Sequence, residues 1–225
     1  MRFVRRHKPQ GPLDASSGPL IVAALPIKPF GVAKARLSPV LGPAERSRLG
    51  RAVAARTASC AQEAGAEVVV VTADDKVAEW ARSQELGVLR EDAGSGEGLD
   101  RAAATAARHA TELGLGWAIV HADLPVATSA DLRVVFDSAA RTTVIVPSYD
   151  GGTNIVTGFG ASFRFSFGEG SFTRHFAQAP GAVVLTIPRL VLDLDTPRDL
   201  ALARSWPSAT WLNEIFHDAG SVPRT

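Results

Sequence analysis

Short apolar runs alternate with helical segments along this chain, and that alternation constrains its fold more than any other feature. The clearest run, at 67–72, holds four consecutive valines, which is typical of a strand buried on both faces. At 43–64, apolar residues instead recur at helical spacing. Alternating strands and helices over 225 residues predict an α/β fold: a single three-layer, Rossmann-like domain whose mostly parallel sheet has helices on both faces.

The remaining elements follow from the same two periodicities. Strands are predicted over 20–27, 67–72, 88–90, 117–121, 142–147, 182–187 and 190–194. Helices are predicted over 43–64, 74–84, 98–113, from 128 onward, over 172–178 and over 196–204. Sheets of this kind bind ligands at the carboxyl ends of their strands, so the residues that follow each strand are the candidates for function.

The two ends of the chain differ from the alternating middle. We expect residues 1–18 to form a mobile arm, residues 19–204 to form the domain and residues 205–225 to form a C-terminal tail. The tail either docks on the core or covers a neighbouring chain, which leaves a homodimer open. The sequence has no apolar run of about 20 residues and no apolar core after its basic start, which predicts a cytoplasmic protein without a membrane segment.

Composition excludes several classes of function. With 24 Lys and Arg against 23 Asp and Glu the net charge is +1, whereas a dedicated nucleic-acid binder usually carries a basic excess. Cys60 is the single cysteine of the sequence, which excludes an internal disulfide and a cysteine-built zinc site. Any highly anionic substrate must therefore be held by local groups, because the chain has no global positive field.

A basic loop follows the first predicted strand. It contains Lys28, Lys34 and Arg36, and Gly31 allows a turn within it. Three cations together with free backbone N–H groups can wrap a polyphosphate. The loop has neither the Walker A pattern nor G-x-G-x-x-G. A solvated basic loop without a ligand is the alternative.

Two glycine-rich segments precede predicted helices. In 91–100 the glycines would let the backbone approach a base or ribose closely, the alternative being a flexible connection. In 165–171 a glycine-rich turn runs into a helix start, where free N–H groups and the helix dipole favour an anion. Ser171 can add its hydroxyl there, or it can serve only as the helix cap.

Three aspartates follow predicted strands. Asp123 comes directly after 117–121, while Asp193 and Asp195 point the same way if the chain is extended at 190–194. Adjacent carboxylates repel, and a shared cation offsets that repulsion. Mg²⁺ typically takes one or two protein carboxylates together with phosphate oxygens. The alternative is that these aspartates only cap a turn and the helix that begins near Thr196.

Together these segments resemble the nucleotidyltransferase family that includes 2-phospho-L-lactate guanylyltransferase and phosphoenolpyruvate guanylyltransferase, enzymes of coenzyme F(420) biosynthesis. The resemblance covers about residues 20–204. It rests on P-I-K…A-K-A-R-L at 26–37, G-L-D at 98–100, H-A-D-L-P at 121–125, G-G-T-N at 151–154, F-G-E-G-S-F-x-x-H at 167–175 and L-D-L-D-T-P-x-D-L at 192–200. It implies a nucleotidyltransferase fold for the domain.

The resemblance also implies roles for individual residues. The positions that match the Mg²⁺ ligands, with two ions expected, are Asp123, Asp193 and Asp195. The positions that match the site of the phosphorylated acid are Thr153, Gly168 and Ser171. The catalytic and nucleotide-binding positions are Lys28, Lys34 and Arg36 of the basic loop, joined at the nucleotide by Gly98 and Asp100. Asp100 stands where the family usually has Asn, and its carboxylate can accept hydrogen bonds from the N1–H and N2–H₂ groups of guanine.

The implied reaction transfers GMP from GTP to the phosphate of a small phosphorylated acid and releases pyrophosphate. We expect phosphoenolpyruvate as the acceptor, because abundant Ala, Arg and Gly indicate a GC-rich bacterial source and bacterial relatives resemble the phosphoenolpyruvate users. The alternatives are 2-phospho-L-lactate and 3-phospho-D-glycerate. A downstream transferase that captures the product is the implied functional partner.

Two other classes of protein share parts of this pattern. An Asp-x-Asp glycosyltransferase also places paired aspartates on an α/β sheet, but it uses a sugar nucleotide and makes no pyrophosphate. A non-catalytic GTP-binding protein would bind the nucleotide without turnover. Release of pyrophosphate from GTP separates the three classes.

Overall fold

The protein is described by a computed structural model that covers residues 21–32, 34–91 and 98–217. The expected arm at 1–18 and the segment 92–97 of the first glycine-rich stretch lie outside the described residues. The strands are β1 (Ile21–Pro26), β2 (Glu67–Thr72), β3 (Gly87–Arg90), β4 (Gly116–Val120), β5 (Val144–Pro147), β6 (Thr153–Gly158) and β7 (Val183–Val184). They form one sheet in the order β3-β2-β1-β4-β6-β5-β7.

The helices connect and cover these strands. They are α1 (Pro43–Glu63), α2 (Asp75–Ser83), α3 (Gly98–Glu112), α4 (Ser129–Ala139), α5 (Ser171–Gln178), α6 (Pro188–Val191), α7 (Pro197–Arg204) and α8 (Trp211–His217). Short 3₁₀ turns occupy Ala35–Leu37 and Pro207–Ala209. None of the helices in the described ranges is long and apolar enough to cross a membrane.

The parallel half of the sheet confirms the predicted α/β architecture. β1 lies parallel between β2 and β4, and β3 extends the same half. Alternate residues of β1 enter different cores: Ala23 and Leu25 pack with α1, α2 and α4, whereas Val22 and Ala24 pack with α3. Strands buried on both faces need apolar residues at every position, which is why the valine run occurs here.

The other half of the sheet departs from the prediction at β6. No strand is predicted between 142–147 and 182–187, but Thr153 begins a strand that runs antiparallel between β4 and β5. Its polar residues are buried and hydrogen-bonded: Asn154 Nδ2 donates to the Leu190 carbonyl at 3.0 Å, and Thr157 Oγ1 accepts from the Val144 N–H at 2.8 Å. Tertiary partners therefore allow a buried strand that lacks a long apolar run.

The predicted strand at 190–194 is wrong. Pro188 opens the short helix α6, and residues 192–195 after it are neither helix nor strand and do not pair in the sheet. The predicted strand at 182–187 is reduced to the two residues of β7. Proline at the first turn favours a helix start, and this turn already buries Leu190. Leu190, the first residue of this apolar run, is thus buried by a helical turn and not by a strand.

Described residues of the C-terminal tail pack on the domain. Ala209 and Leu212 are buried in a third apolar cluster with Leu49 and Val53 of α1 and Leu200 of α7. This contact adds a helical layer beside the loop that follows β1, and so it braces one wall of the site described next.

Candidate active site

A cleft of about 400 Å³ opens at the carboxyl end of the parallel half of the sheet. Its walls come from the loop after β1, the middle of α1, the start of α3 and the residues that follow β4. Lys28, Lys34, Asp123 and Asp195 line it, so three separate segments of the predicted site meet at one opening. This is where a parallel sheet is expected to bind its ligand.

Lys28 and Gly98 belong to the same part of the cleft. Gly98 begins α3 at a φ of +62°, a conformation that side-chain-bearing residues rarely adopt. A Cβ at Gly98 would lie 3.9 Å from Lys28 Nζ. The glycine therefore lets the backbone turn and leaves space beside an exposed lysine.

Lys34 and Asp123 form a close ion pair although 89 residues separate them in sequence. Lys34 Nζ lies 2.5 Å from Asp123 Oδ2, and the lysine side chain is only 9% exposed. Burial acts to raise the pKa of Asp123, but the charge and hydrogen bond of Lys34 together with His121 outweigh it and hold that pKa below its ordinary value. Lys34 has a φ of 60°, so the loop adopts a left-handed conformation at the residue that reaches the carboxylate.

Arg36 pairs with Asp195 at the edge of the same cleft. Its guanidinium donates to Asp195 Oδ2 at 2.9 Å, and the two side chains are 73% and 42% exposed. An exposed pair of this kind contributes about 1 kcal/mol or less to stability. Both partners can therefore exchange this contact for a ligand at little cost.

Asp193 lies between two buried leucines in the segment 192–195. Leu192 and Leu194 are both buried, and the Leu194 N–H donates to the Asp123 carbonyl at 2.9 Å, which joins this segment to the residues after β4. Burial, followed by the charge of Asp123, raises the pKa of Asp193 to about 7. The two carboxyl groups therefore lie near enough for the charge of Asp123 to act on Asp193.

The carboxylates fit a divalent cation only in part. Asp123 Oδ1 and Asp193 Oδ1 are both buried without a hydrogen-bond partner, which leaves two oxygen ligands for a cation. Within 21–32, 34–91 and 98–217, however, no three Asp, Glu, His or Cys side chains are grouped to hold a metal. Any ion here must take further ligands from substrate or water.

A second polar group lies where β6 meets α5, and its members are Thr153, Ser171 and His175. All three are buried. Ser171 Oγ lies 3.2 Å from Thr153 Oγ1, and His175 Nδ1 lies 3.0 Å from the same oxygen. Burial lowers the pKa of His175 to about 4, so the ring is neutral at pH 7. We call these three residues the hydroxyl cluster.

Five ionisable residues at the cleft and its edge form a separate group. We call Lys34, Arg36, Asp123, Asp193 and Asp195 the charged cluster. Gly168 belongs to neither: it is exposed at a φ of +103°, in the turn that leads to α5. The Ser171 N–H donates to its carbonyl at 3.0 Å, so Gly168 shapes the backbone around the hydroxyl cluster.

Asp100 lies outside the cleft lining. Its Oδ1 accepts the Phe167 N–H at 2.7 Å, which ties the start of α3 to the segment before α5. The neighbouring residues Gly98 and Leu99 do line the cleft. The carboxylate expected at guanine therefore holds a protein backbone group in this structure.

Sequence reasoning gave no role to His175, although it lies within one of the matched blocks. The available signal was its spacing: His175 follows Ser171 by four residues, so the two share one helix face. Its partner Thr153 lies on a strand that the sequence analysis did not predict. The contact between them therefore could not be inferred.

Residues 21–201 match the family described as "Guanylyl transferase CofC like". This chain belongs to that family. The match confirms the resemblance drawn from the sequence blocks and establishes an enzyme of the nucleotidyltransferase type.

Individual relatives carry two different substrate names. A 2-phospho-L-lactate guanylyltransferase of Methanobrevibacter smithii is 28% identical over 185 residues, which span 80% of this chain and 82% of that protein. A phosphoenolpyruvate guanylyltransferase of Mycolicibacterium smegmatis is 31% identical over 206 residues, which span 88% of this chain and 91% of that protein. The family is thus shared, whereas the acceptor differs between its members.

A solved structure supports the fold independently of close sequence similarity. A protein of Desulfovibrio desulfuricans, provisionally classed as a nucleotide-diphospho-sugar transferase, superposes with a TM-score of 0.70 at 16% identity. The match covers 89% of this chain and 96% of that one. The likeness concerns the fold alone.

Proposed function

We propose that this guanylyltransferase moves GMP from GTP to the phosphate of phosphoenolpyruvate and releases pyrophosphate, as a cytoplasmic step of coenzyme F(420) biosynthesis. The observation that carries the proposal is the cleft itself. Lysines from the loop after β1 line it, and two buried carboxylate oxygens without partners adjoin it. Such a site suits a reaction in which phosphate groups must be brought together against their mutual repulsion.

The nucleotide is proposed to occupy the cleft. Lys28, Lys34 and Arg36 can contact the triphosphate, while the backbone at Gly98 leaves room for the nucleoside. Asp100 Oδ1 accepts the Phe167 N–H, so Asp100 would accept from guanine through its remaining lone pairs, chiefly those of Oδ2. Because Asp100 lies outside the cleft lining, the choice of base depends on whether that oxygen reaches the bound nucleotide.

Mg²⁺ is proposed at the aspartates, as two ions that would take their remaining ligands from substrate and water. Asp123 and Asp193 have the free oxygens for this role, and Asp195 can join them when Arg36 turns from it to phosphate. When bound, Mg²⁺ supplies positive charge that offsets the phosphates and favours departure of pyrophosphate.

The phosphorylated acid is proposed to bind at Thr153, Gly168 and Ser171. The exposed turn at Gly168 leads into α5, whose first residue is Ser171, and the Ser171 hydroxyl lies beside that of Thr153. The Ser171 and Phe172 N–H groups at the start of α5 donate to the Gly168 and Gly151 carbonyls, so the hydroxyls are the proposed donors to the acid. In the present conformation both hydroxyls are buried, so binding requires a small displacement of the 165–170 segment.

No protein base is required for the chemistry. The attacking group is a phosphate monoester, whose second pKa is about 6, so its oxygen is already ionised at pH 7. Two unit charges 4 Å apart repel by about 4 kcal/mol at an effective dielectric constant of 20. The task of Lys28, Lys34 and Arg36 is therefore to offset charge and align the reacting groups.

Phosphoenolpyruvate is preferred to the other acceptors on similarity. The support is the share of the chain that is matched: the Mycolicibacterium smegmatis relative named for it covers 88% of this chain, whereas the Methanobrevibacter smithii and Methanothermobacter thermautotrophicus relatives named for 2-phospho-L-lactate cover 80% and 79%. We include 3-phospho-D-glycerate in the test because it carries the same two anionic groups.

The test is a competition assay. The wild-type protein is incubated with GTP, Mg²⁺ and equal amounts of the three acids, together with the downstream transferase to capture an unstable product. Pyrophosphate is measured and the products are identified by mass spectrometry. The proposal predicts pyrophosphate and a guanylyl product mainly of phosphoenolpyruvate. Another dominant product would correct the acceptor, and turnover without pyrophosphate would overturn guanylyl transfer.

A further inference from the structure

The hydroxyl cluster contains a histidine whose two ring nitrogens both have partners. The Ser166 N–H donates to His175 Nε2 at 3.0 Å, and His175 Nδ1 faces Thr153 Oγ1 at 3.0 Å. A backbone N–H can only donate, so Nε2 is the unprotonated nitrogen of a neutral ring. The proton therefore lies on Nδ1, and Nδ1–H donates to Thr153 Oγ1.

This tautomer determines how many hydrogens the two hydroxyls have left to donate. Thr153 and Ser171 carry two hydroxyl hydrogens, and the 3.2 Å contact between their oxygens uses one of them. His175 donates into the pair and takes no hydrogen from it. One O–H therefore remains, and no acceptor for it is found among the described residues. With the opposite tautomer, Nδ1 would accept that hydrogen and the pair would have none left.

We propose that His175 is a positioning residue: it keeps the Thr153–Ser171 pair a net hydrogen-bond donor and so fits the acceptor site to an anionic group. The inference rests on the proposed function, because it concerns the site of the phosphorylated acid. The class of ligand is a carboxylate or phosphate oxygen, since each offers lone pairs and no hydrogen at pH 7.

A purely packing role for His175 is the competing explanation. Its ring contacts Phe167 edge-on at 4.8 Å between centroids and lies 5.5 Å from Phe163. A phenylalanine would serve such contacts without burying two polar nitrogens. Buried polar atoms lower stability unless they are hydrogen-bonded, and both nitrogens of this ring are placed on specific partners.

The same ring connects the hydroxyls to the segment that must move when the acid binds. Ser166 immediately precedes Phe167, whose N–H is held by Asp100 at 2.7 Å. If Ser166 leaves His175, Nε2 loses the donor that fixes the tautomer. The donor character of the hydroxyls is therefore tied to the position of the 165–167 segment.

Two amide substitutions separate the contacts of His175. In His175→Asn the amide reaches the place of Nδ1, so it can still donate to Thr153. In His175→Gln the amide reaches the place of Nε2, so it can still accept from Ser166 but leaves Thr153 without its donor. Both variants remove the aromatic ring and keep an uncharged amide, so each serves as the control for the other, with thermal unfolding to account for their difference of one methylene.

The Michaelis constants of both substrates are measured for the two variants, with thermal unfolding as a check of folding. We expect His175→Gln to raise the Michaelis constant for phosphoenolpyruvate about tenfold, and His175→Asn to raise it less than about threefold. The constant for GTP should change less than about twofold in both. An equal rise for phosphoenolpyruvate in the two variants, or an equal rise for both substrates, would overturn the positioning role.

The tautomer is tested directly on the wild-type protein. A ¹⁵N spectrum of the labelled histidine ring should show Nδ1 protonated and Nε2 unprotonated from pH 6 to 8. The opposite tautomer would overturn the inference whatever the kinetics give. Failure of the proposed function is a different result: the wild-type protein would then release no pyrophosphate from GTP with any of the three acids.

Discussion

The two polar clusters of this protein differ in charge and in how completely their polar groups are hydrogen-bonded. In the charged cluster, side chains far apart in sequence form ion pairs, and Asp123 and Asp193 each keep a buried oxygen without a partner. In the hydroxyl cluster the groups are neutral, and each hydroxyl and ring nitrogen of Thr153, Ser171 and His175 has a protein contact. The charged cluster can therefore exchange its contacts for those of a ligand, whereas the side chains of the hydroxyl cluster are already fixed by contacts within the protein.

This difference corresponds to two demands of guanylyl transfer. A triphosphate brings several charges at once, and a group of lysines and carboxylates can rearrange its pairs around them. A small acid brings only a few anionic oxygens, and it gains most from donors that are oriented before it arrives. The predictions below test whether the clusters act separately and in these two ways.

The largest effect is expected at Asp123. Replacing it by Asn in Asp123→Asn removes a proposed cation ligand and leaves Lys34 without its charged partner, so transfer should fall about 10³-fold or more. Pyrophosphate release in the presence of Mg²⁺ measures the loss. Asp137→Asn, a change on the exposed face of α4, is the matched control and should keep activity within about twofold. Near-normal turnover of Asp123→Asn would remove the charged cluster from the chemistry.

The two cations of the charged cluster should differ in importance. Lys34 is 9% exposed and Arg36 is 73% exposed, so Lys34 acts where water screens charge least. We expect Lys34→Met to lower kcat/KM for GTP about 100-fold and Arg36→Gln to lower it less than about tenfold. Steady-state kinetics at saturating phosphoenolpyruvate decide between them. A larger loss in Arg36→Gln than in Lys34→Met would mean that the triphosphate is bound mainly by the exposed Arg36.

Ser171 tests the hydroxyl cluster. In Ser171→Ala the pair loses one hydroxyl, so the Michaelis constant for phosphoenolpyruvate should rise about tenfold while that for GTP stays within about twofold. Both constants are obtained by varying one substrate at saturation of the other. If the two rise by the same factor, the hydroxyl cluster does not form a separate acid site.

The smallest effect concerns stability and has an unusual direction. Burial raises the pKa of Asp193 from 3.8 to about 7, so the folded state retains a proton that the unfolded state releases, and stability falls as pH rises through that window. Asn mimics the protonated form, so Asp193→Asn should unfold a few degrees above the wild type at pH 8 without divalent ions. The difference should vanish near pH 4.

Asp199→Asn is the matched control for this stability measurement. Asp199 accepts hydrogen bonds from the Asp195 and Thr196 N–H groups and from the Thr196 and Tyr149 hydroxyls. Its amide variant should therefore unfold at a lower temperature than the wild type at pH 8. If Asp193→Asn also unfolds at a lower temperature than the wild type at pH 8, the ionised Asp193 carboxylate does not destabilise the folded protein.

The sequence predicted the parallel half of the fold better than the antiparallel half. The strand at 67–72 has the predicted bounds, because an apolar run buried on both faces leaves little choice. β6 was missed because its Asn154 amide donates to the Leu190 carbonyl and its Thr157 hydroxyl accepts from the Val144 N–H, partners that only the tertiary structure supplies. The strand at 190–194 was wrong because apolar content alone does not distinguish a buried strand from a helical turn.

The candidate site was likewise predicted only in part from the sequence. The aspartates and the basic loop were predicted from their places after strands, and the charged cluster brings five of those residues around one cleft. The pairing of Lys34 with Asp123 spans 89 residues and could not be inferred from spacing. The role of His175 depends on contacts to Ser166 and Thr153, the latter on the missed strand.

A double-mutant cycle between Lys34→Met and Ser171→Ala tests most directly whether the two clusters act separately. The second-order rate constant for transfer is measured for the wild type, both single variants and the double variant. Separate clusters predict that the loss in the double variant equals the product of the two single losses within about twofold. A double variant that loses no more than the worse single variant would contradict the account, because the two groups would then act as one site.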